Sequence, residues 1–178
     1  MDSHQPIKRQ ARKSPVMARL LFAVTRFLAV RKIMRINADM SQSAYLERYN
    51  ILRTRHLTIY LHRFVDRDQD RELHDHPWHG LALVLSGSYQ EQYLLPGLGV
   101  GERKVRFFNL INANSFHMIS SARPETWTLF IHGRKIKKWG FLSGMQGDQA
   151  NYRVMPDSDQ DWHKKAPAEP REPLKHII

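Results

Sequence analysis

The sequence predicts an all-β domain, either a sandwich or a barrel. Segments rich in β-branched and aromatic residues recur between about residues 56 and 142, and turn-forming residues rather than helices separate them. The chain of 178 residues is about one domain long, and 42% hydrophobic residues can form an ordinary core. The expected strands are 56–64, 81–85, 88–95, 104–110, 115–120, 126–132 and 138–142.

The region before these strands is basic and contains one predicted amphipathic helix. Apolar residues recur near helical spacing over residues 17–36. Arginines interrupt this pattern too often for a membrane span or a signal peptide. Two interpretations remain: a helix packed on the domain, which we favour, or a basic helix lying on an anionic membrane.

The net charge of +11 is largely a property of this N-terminal region. Nine Lys or Arg residues and one acid lie within residues 1–36, whereas the remaining chain has 19 against 16. A basic arm can bind nucleic-acid phosphates by releasing counterions. We favour a solvated arm over nucleic acid or membrane contact, because such terminal charge runs are commonly solvated. A cytoplasmic location is expected.

Three regions follow from this pattern. Residues 1–43 form the basic arm and helix, residues 44–147 form the β-domain, and residues 148–178 form a polar, Pro-containing tail with little expected structure. Open sheets in a domain of this size leave edges that need covering, so we expect a homodimer. The chain has no cysteine, which excludes disulfides, thiolate metal sites and cysteine nucleophiles.

The residues that predict function are the histidines of the run Leu73-His74-Asp75-His76-Pro77-Trp78. Side chains alternate along a strand, so His74 and His76 point to one side and Asp75 to the other. His117, on a distant predicted strand, can complete a three-nitrogen site for a first-row metal ion. We therefore predict a metal site.

The two histidine segments resemble the paired motifs of the cupin superfamily, which are small jelly-roll β-barrels. His74, His76 and Gly87 match the first motif, but Gly80 stands where that motif has a glutamate. His117 matches the second motif, whose turn residues differ here. Residues 45–141 also resemble a family of small, mostly uncharacterised cupin-like proteins of bacteria and their prophages, with the strings YLERYNIL, RELHDHPW and LVLSGSYQEQY.

The resemblance implies a cupin-type jelly roll that binds a divalent metal through His74, His76 and His117. Fe(II) is favoured over Zn, Mn or Ni, since cupin-like dioxygenases include three-histidine iron sites. The missing glutamate leaves the ligand set uncharged. A fourth ligand could come from His79, His132 or Asp75, and His62 could be a hydrogen-bonding partner of the site.

A substrate pocket is expected beside the metal. Arg63 and Arg106 are candidates for binding a substrate carboxylate, and Tyr89 is a candidate for the pocket wall. The favoured function is a three-histidine Fe(II)-type oxygenase acting on a small molecule. The alternatives are a non-catalytic cupin that binds or senses a small molecule and is tethered by its basic N-terminus, and a Zn-dependent isomerase or hydrolase.

Overall fold

The structure is a computed structural model that describes residues 15–36, 42–65, 72–146, 149–155 and 171–173. The basic arm up to residue 14 and most of the predicted tail lie outside the described residues. The described part contains one α-helix, α1 (Val16–Val24), which continues as a 3₁₀ turn (Thr25–Phe27). No helix in these ranges is long and apolar enough to cross a membrane.

The rest of the described chain is mainly β-structure with connecting turns, so the predicted all-β class is confirmed. The strands, in chain order, are β1 (Val30–Ile36), β2 (Gln42–Arg53), β3 (Leu57–Phe64), β4 (Gly80–Ser86), β5 (Tyr89–Leu94), β6 (Val100–Val105), β7 (Phe108–Ile111), β8 (His117–Ala122), β9 (Thr126–Gly133), β10 (Gly140–Gln146) and β11 (Gln149–Val154).

Two sheets pack face to face in a jelly-roll arrangement. The larger sheet has the strand order β1-β2-β3-β9-β4-β7, and the smaller one has the order β6-β5-β8. The chain crosses between the sheets at the β4–β5 turn, where Gly87 has φ of +77°. A Cβ atom at Gly87 would lie 2.5 Å from Thr126 Oγ1, so the turn requires glycine on both counts.

The two faces of the larger sheet are buried differently. Its inner face packs on the smaller sheet through a cluster that includes Tyr45, Phe64 and Tyr89. Its outer face is covered by α1, where Ala18 packs on Tyr49 and Trp127. The helix therefore packs on the domain, as favoured from the sequence.

The opposite side of α1 leaves apolar side chains exposed, at Val16, Leu20, Val24 and Phe27. The homodimer stays a prediction.

Two boundaries predicted from the sequence are wrong. The helix ends at Val24, and residues 30–36 form β1 because they pair with β2, burying Val30 and Ile33. Part of the predicted tail is structured, since β11 (Gln149–Val154) pairs antiparallel with β10. The predicted strand 104–110 is interrupted at residues 106–107, where β6 leaves one sheet and β7 joins the other.

Candidate metal centre

The first two predicted ligands lie on a short segment that joins β8 to β10. The backbone of His74 forms an isolated antiparallel β-bridge with His117 on one side and another with Phe141 on the other. Backbone bonds fix this placement, since the His74 amide donates to the His117 carbonyl at 3.0 Å and the His117 amide donates back at 2.9 Å. His117 is thus held beside His74 by a strand pairing that joins distant parts of the chain.

The side chains of His74, His76 and His117 converge as predicted. Each offers one nitrogen within 4.8 Å of the others, and all three residues are half-buried. The Nε2 atoms of His76 and His117 lie 2.7 Å apart. Bonds of about 2.0–2.1 Å to a shared ion place two nitrogens up to about 4 Å apart, so the cluster fits a metal with small side-chain adjustments.

The electrostatics of the cluster also fit metal binding. Burial, together with the charges of His74 and His117, holds the pKa of His76 well below its usual value. A neutral imidazole has a free lone pair for a metal ion, whereas an imidazolium has none. Within the described part of the chain, a group of three or more His, Asp or Glu side chains close enough to share a metal ion is found in this trio.

A buried carboxylate orients the third histidine. Glu91 Oε1 on β5 lies 2.5 Å from His117 Nδ1, and Arg103 donates to Glu91 Oε2 at 2.6 Å. Asn109 Nδ2 also donates to Glu91 Oε1. Burial alone would raise the pKa of Glu91, but His117, Arg103 and Asn109 together hold it below its usual value. An ionised Glu91 accepts a hydrogen bond from the Nδ1–H group of His117, which favours the tautomer whose Nε2 lone pair faces the cluster.

We expect the Glu91→Gln variant to bind divalent metal about 10–100-fold more weakly, the range found for outer partners of metal-bound histidines. The neutral amide of this variant accepts a hydrogen bond from Nδ1–H of His117 less strongly than the carboxylate does. It therefore favours the tautomer with an unprotonated Nε2 less. Competition with a chromogenic chelator for Zn(II) measures the dissociation constant. The matched control is Glu102→Gln on the neighbouring strand β6, where the side chain is exposed. Equal affinities of the two variants would contradict this role.

Asp75 points away from the cluster, as side-chain alternation predicts. Its buried carboxylate accepts hydrogen bonds from Lys137 Nζ at 2.5 Å, Gly140 N at 2.8 Å and the Tyr152 hydroxyl at 2.9 Å. These bonds fasten the β10–β11 hairpin to the segment that carries His74 and His76. Asp75 is therefore an anchor of the site and not a fourth ligand.

The other candidate ligands lie outside the cluster. His79 is exposed, and its Nδ1 accepts a hydrogen bond from Ala113 N at 3.3 Å. His132 donates from Nδ1 to the Gly133 carbonyl at 2.8 Å, and burial lowers its pKa. His62 Nε2 accepts a bond from Arg48 Nε at 3.0 Å, and burial holds its pKa well below the usual value. Both His62 and His132 line a cavity that adjoins the three-histidine cluster.

An aromatic ring packs beside Gly80, the residue that stands where the cupin motif has a glutamate. Trp78 stacks between His76 and His132, with centroid separations of 4.4 Å on each side. A Cβ at Gly80 would lie 3.3 Å from the Trp78 ring and 3.1 Å from the Ile131 carbonyl oxygen. Glycine at this position therefore gives Trp78 room to pack beside the cluster, and a larger residue would require the ring or the Ile131 carbonyl to shift slightly.

The cluster opens into a cavity of about 430 Å³ between the sheets. That volume is within the range of small-molecule sites. Aromatic rings form much of its wall, and basic residues surround its outer part. The lining includes Tyr45, Tyr60, Phe64, Trp78, Tyr89, Phe130 and Trp139, with Arg48, Arg53, Arg55, Arg134 and Lys135. Tyr89 thus lines the cavity, as expected.

The two arginines predicted for the pocket lie elsewhere. Arg63 is fully buried on the outer side of the larger sheet, in ion pairs with Glu47 and Glu125. Arg106 is exposed in the turn between β6 and β7 and does not line the cavity. The inward-facing arginine is Arg48. Alternation along β2 did not show which parity faces inward, because the β1–β2 register shifts at Tyr45 and both Tyr45 and Leu46 are buried.

Comparisons with known proteins give similarity of fold at low sequence identity. No protein-family model matches the chain, and no curated protein matches it. Fe(II) HppE in complex with substrate has a TM-score of 0.43 and 12% identity over 60% of this chain and 56% of that chain. An oxalate decarboxylase variant of Bacillus subtilis has a TM-score of 0.39 and 12% identity over 58% of this chain.

A conserved Streptococcus pyogenes protein of unknown function has a TM-score of 0.37 and 12% identity, over 50% of this chain and 74% of that chain. The match with the oxalate decarboxylase spans 28% of that enzyme's own length. The ligands and reactions of these neighbours describe the neighbours and not this chain.

Proposed function

We propose that the protein is a cupin whose three-histidine centre holds a divalent metal, most favourably Fe(II), and oxidises a small molecule with dioxygen. The observation that carries the proposal is the convergence of His74, His76 and His117 on the wall of a cavity between the sheets. Three protein ligands leave further coordination positions open, which is the arrangement of catalytic rather than structural metal sites.

The residues of the chain have separate roles in this proposal. The three histidines hold the metal, and Glu91 keeps His117 in the tautomer that binds through Nε2. Trp78 and Phe130 supply an apolar wall that excludes water beside the centre. When bound, Fe(II) would hold dioxygen and the organic substrate together at its open positions, and the electrons that reduce dioxygen would come from the substrate.

The donor set is also compatible with Zn(II), so the experiment must distinguish the metals. The full chain is purified without a histidine tag, analysed for metal, and loaded anaerobically with Fe(II). We expect equimolar iron, an EPR signal with nitric oxide as a stand-in for dioxygen, and oxygen uptake with a member of a panel of small thiols, diketones and aromatic acids.

Two results would contradict the proposal. Bound zinc with turnover of a substrate in the absence of oxygen would favour the isomerase or hydrolase alternative. Failure of the iron-loaded protein to react with nitric oxide would mean that the centre has no open position, which would favour the binding or sensor module. The His117→Ala variant controls for iron bound elsewhere on the chain.

A further inference from the structure

The helix α1 is fixed to the larger sheet by one of its sides. Ala18 is buried in the cluster that covers the outer face of the sheet, and Phe22 packs against that cluster. Arg171 donates to the Phe22 carbonyl, and its guanidinium carbon lies 4.1 Å from the centre of the Phe22 ring. Arg171 also donates to Thr25 Oγ1 at 3.2 Å. These contacts hold the helix in one rotational setting, so its opposite side cannot turn into the core.

The opposite side of α1 is apolar and exposed. A helix turns by about 100° per residue, so Val16, Leu20 and Val24 lie along one stripe, and Met17 lies beside them. Phe27 follows in the 3₁₀ turn. These five residues, which we call the exposed stripe, are each at least 49% exposed. A helix that is apolar on nearly every side is normally covered on every side. The stripe therefore indicates a contact that the described residues do not supply.

The same side of the larger sheet has a second exposed apolar area, on its edge strand β7. Phe108 pairs with Leu83 of β4, which in turn pairs with Leu129 of β9. Paired residues point to the same side of a sheet, and Leu129 packs against the cluster under α1. Phe108, and Leu110 two residues further on, therefore point outward on the side that carries α1, where they are 62% and 70% exposed.

The residues around the exposed stripe are basic. Residues 15–36 contain five Lys or Arg residues and no acid, and residues 1–14 add four Lys or Arg residues and one acid. Arg19 and Arg26 are exposed, and the Arg26 guanidinium carbon lies 4.4 Å from the centre of the Phe27 ring. Exposed apolar side chains flanked by cations are typical of helices that lie in the interface of an anionic membrane.

We propose that α1 docks the protein on a membrane that contains anionic phospholipids. The exposed stripe enters the boundary between headgroups and acyl chains, and Arg19 and Arg26 lie at the phosphate groups. The sequence favoured packing of the helix over membrane contact, and α1 does pack on the domain, but with one side only. The inference does not depend on the metal centre.

Charge favours this partner over a second copy of the chain. A two-fold dimer formed through the exposed stripe would bring Arg19 and Arg26 of both copies into one interface, where like charges repel. Nucleic acid would pair with the arginines but has no apolar phase for Leu20 and Val24 to enter. A lipid surface with anionic headgroups satisfies both the apolar and the basic residues.

Vesicle binding of the full chain tests the inference. Sucrose-loaded vesicles of phosphatidylcholine alone are compared by sedimentation with vesicles that also contain about 30% phosphatidylserine. We expect at least about tenfold tighter binding to the anionic vesicles, since each basic residue near such a surface is worth about fivefold in affinity. Binding should weaken as salt increases, because salt screens exposed charges.

Substitutions in the exposed stripe separate lipid insertion from general attraction. Leu20→Gln combined with Val24→Gln should weaken binding to the anionic vesicles at least about tenfold, because it removes apolar surface that enters the membrane and keeps good helix formers. The matched control is Leu95→Gln, which changes an exposed leucine after β5 of the smaller sheet and should alter the affinity by less than about twofold.

Substitutions of the flanking arginines test the charge. Arg19→Gln combined with Arg26→Gln should weaken binding to the anionic vesicles at least about tenfold at low salt and less at high salt. Lys104→Gln on β6 removes an exposed charge from the smaller sheet and is the control.

Absence of binding to the anionic vesicles at low salt would overturn the inference. Unchanged binding in the Leu20 and Val24 variant would also overturn it, because positive charge alone would then hold the protein. Sedimentation velocity tests the second copy: a dimer that dissociates in this variant, without vesicle binding, would assign the stripe to self-association. If circular dichroism shows that the double variant does not fold, Phe27→Ser decides in its place.

Discussion

Replacing His117 with alanine is expected to weaken divalent metal binding by more than about 100-fold. Outer partners of metal-bound histidines are already worth about 10–100-fold, and removal of a ligand costs more. The two remaining histidines share one short segment, so a metal would keep only that pair as protein ligands. Metal content after dialysis and chelator competition with Zn(II) and Fe(II) measure the loss.

The matched control is His79→Ala, which removes an exposed histidine next to the motif. It should retain metal, since His79 lies outside the cluster. His74→Ala is the second test, because its ring is not held by Glu91 and its loss disturbs that network least. Normal metal content in both His74→Ala and His117→Ala, with circular dichroism unchanged, would refute the site.

The second large effect is expected on stability, at the buried ion cluster of Arg63, Glu47 and Glu125. Arg63 donates to Glu125 through Nε at 3.0 Å and through one terminal nitrogen at 2.6 Å, and to Glu47 at 2.9 Å. The three side chains are fully buried. Burial alone would lower the pKa of Arg63, but the ion pairs with Glu125 and Glu47 raise it.

We expect Arg63→Met to lower the free energy of unfolding by about 3–5 kcal/mol, because it leaves two carboxylates buried without their partner. It also removes hydrogen bonds to the carbonyls of Glu172 and Pro173, which fasten residues 171–173 to the outer face of the sheet. Urea unfolding at neutral pH measures the change.

The Arg106→Met control should shift the free energy of unfolding by less than about 0.5 kcal/mol, since its side chain is exposed. Adding Glu47→Gln and Glu125→Gln to Arg63→Met should restore part of the loss, because it removes two buried negative charges that Arg63 no longer neutralises. A loss below about 1 kcal/mol in Arg63→Met alone would show that the cluster is not a major source of stability.

The local pattern of apolar residues predicted most of the strands. It failed where a segment is a strand only because it pairs with a neighbouring strand. Residues 30–36 have apolar side chains near helical spacing, and no local signal distinguishes them from a continuation of α1. They form β1 because β2 offers a strand partner and a buried place for Ile33. Likewise β11 is polar and exposed, and it is a strand through its pairing with β10.

Long-range contacts decided the residues around the histidines. Glu91 and His117 are 26 residues apart and meet because β5 pairs with β8. Arg63 and Arg48 lie on neighbouring strands, yet the first is buried outside the barrel and the second faces the cavity. Residue type alone predicted arginines for the pocket, but only the sheet's two faces determined which of them line it.

Two-residue alternation was enough to predict the directions of His74 and His76, and the second histidine motif identified His117 as their partner. The sequence also shows that Gly80 stands where the cupin motif has a glutamate. The strand pairing was needed to find Trp78 beside Gly80 and Glu91 beside His117. Side-chain direction is a local property of a strand, whereas hydrogen-bond partners depend on which strands pair.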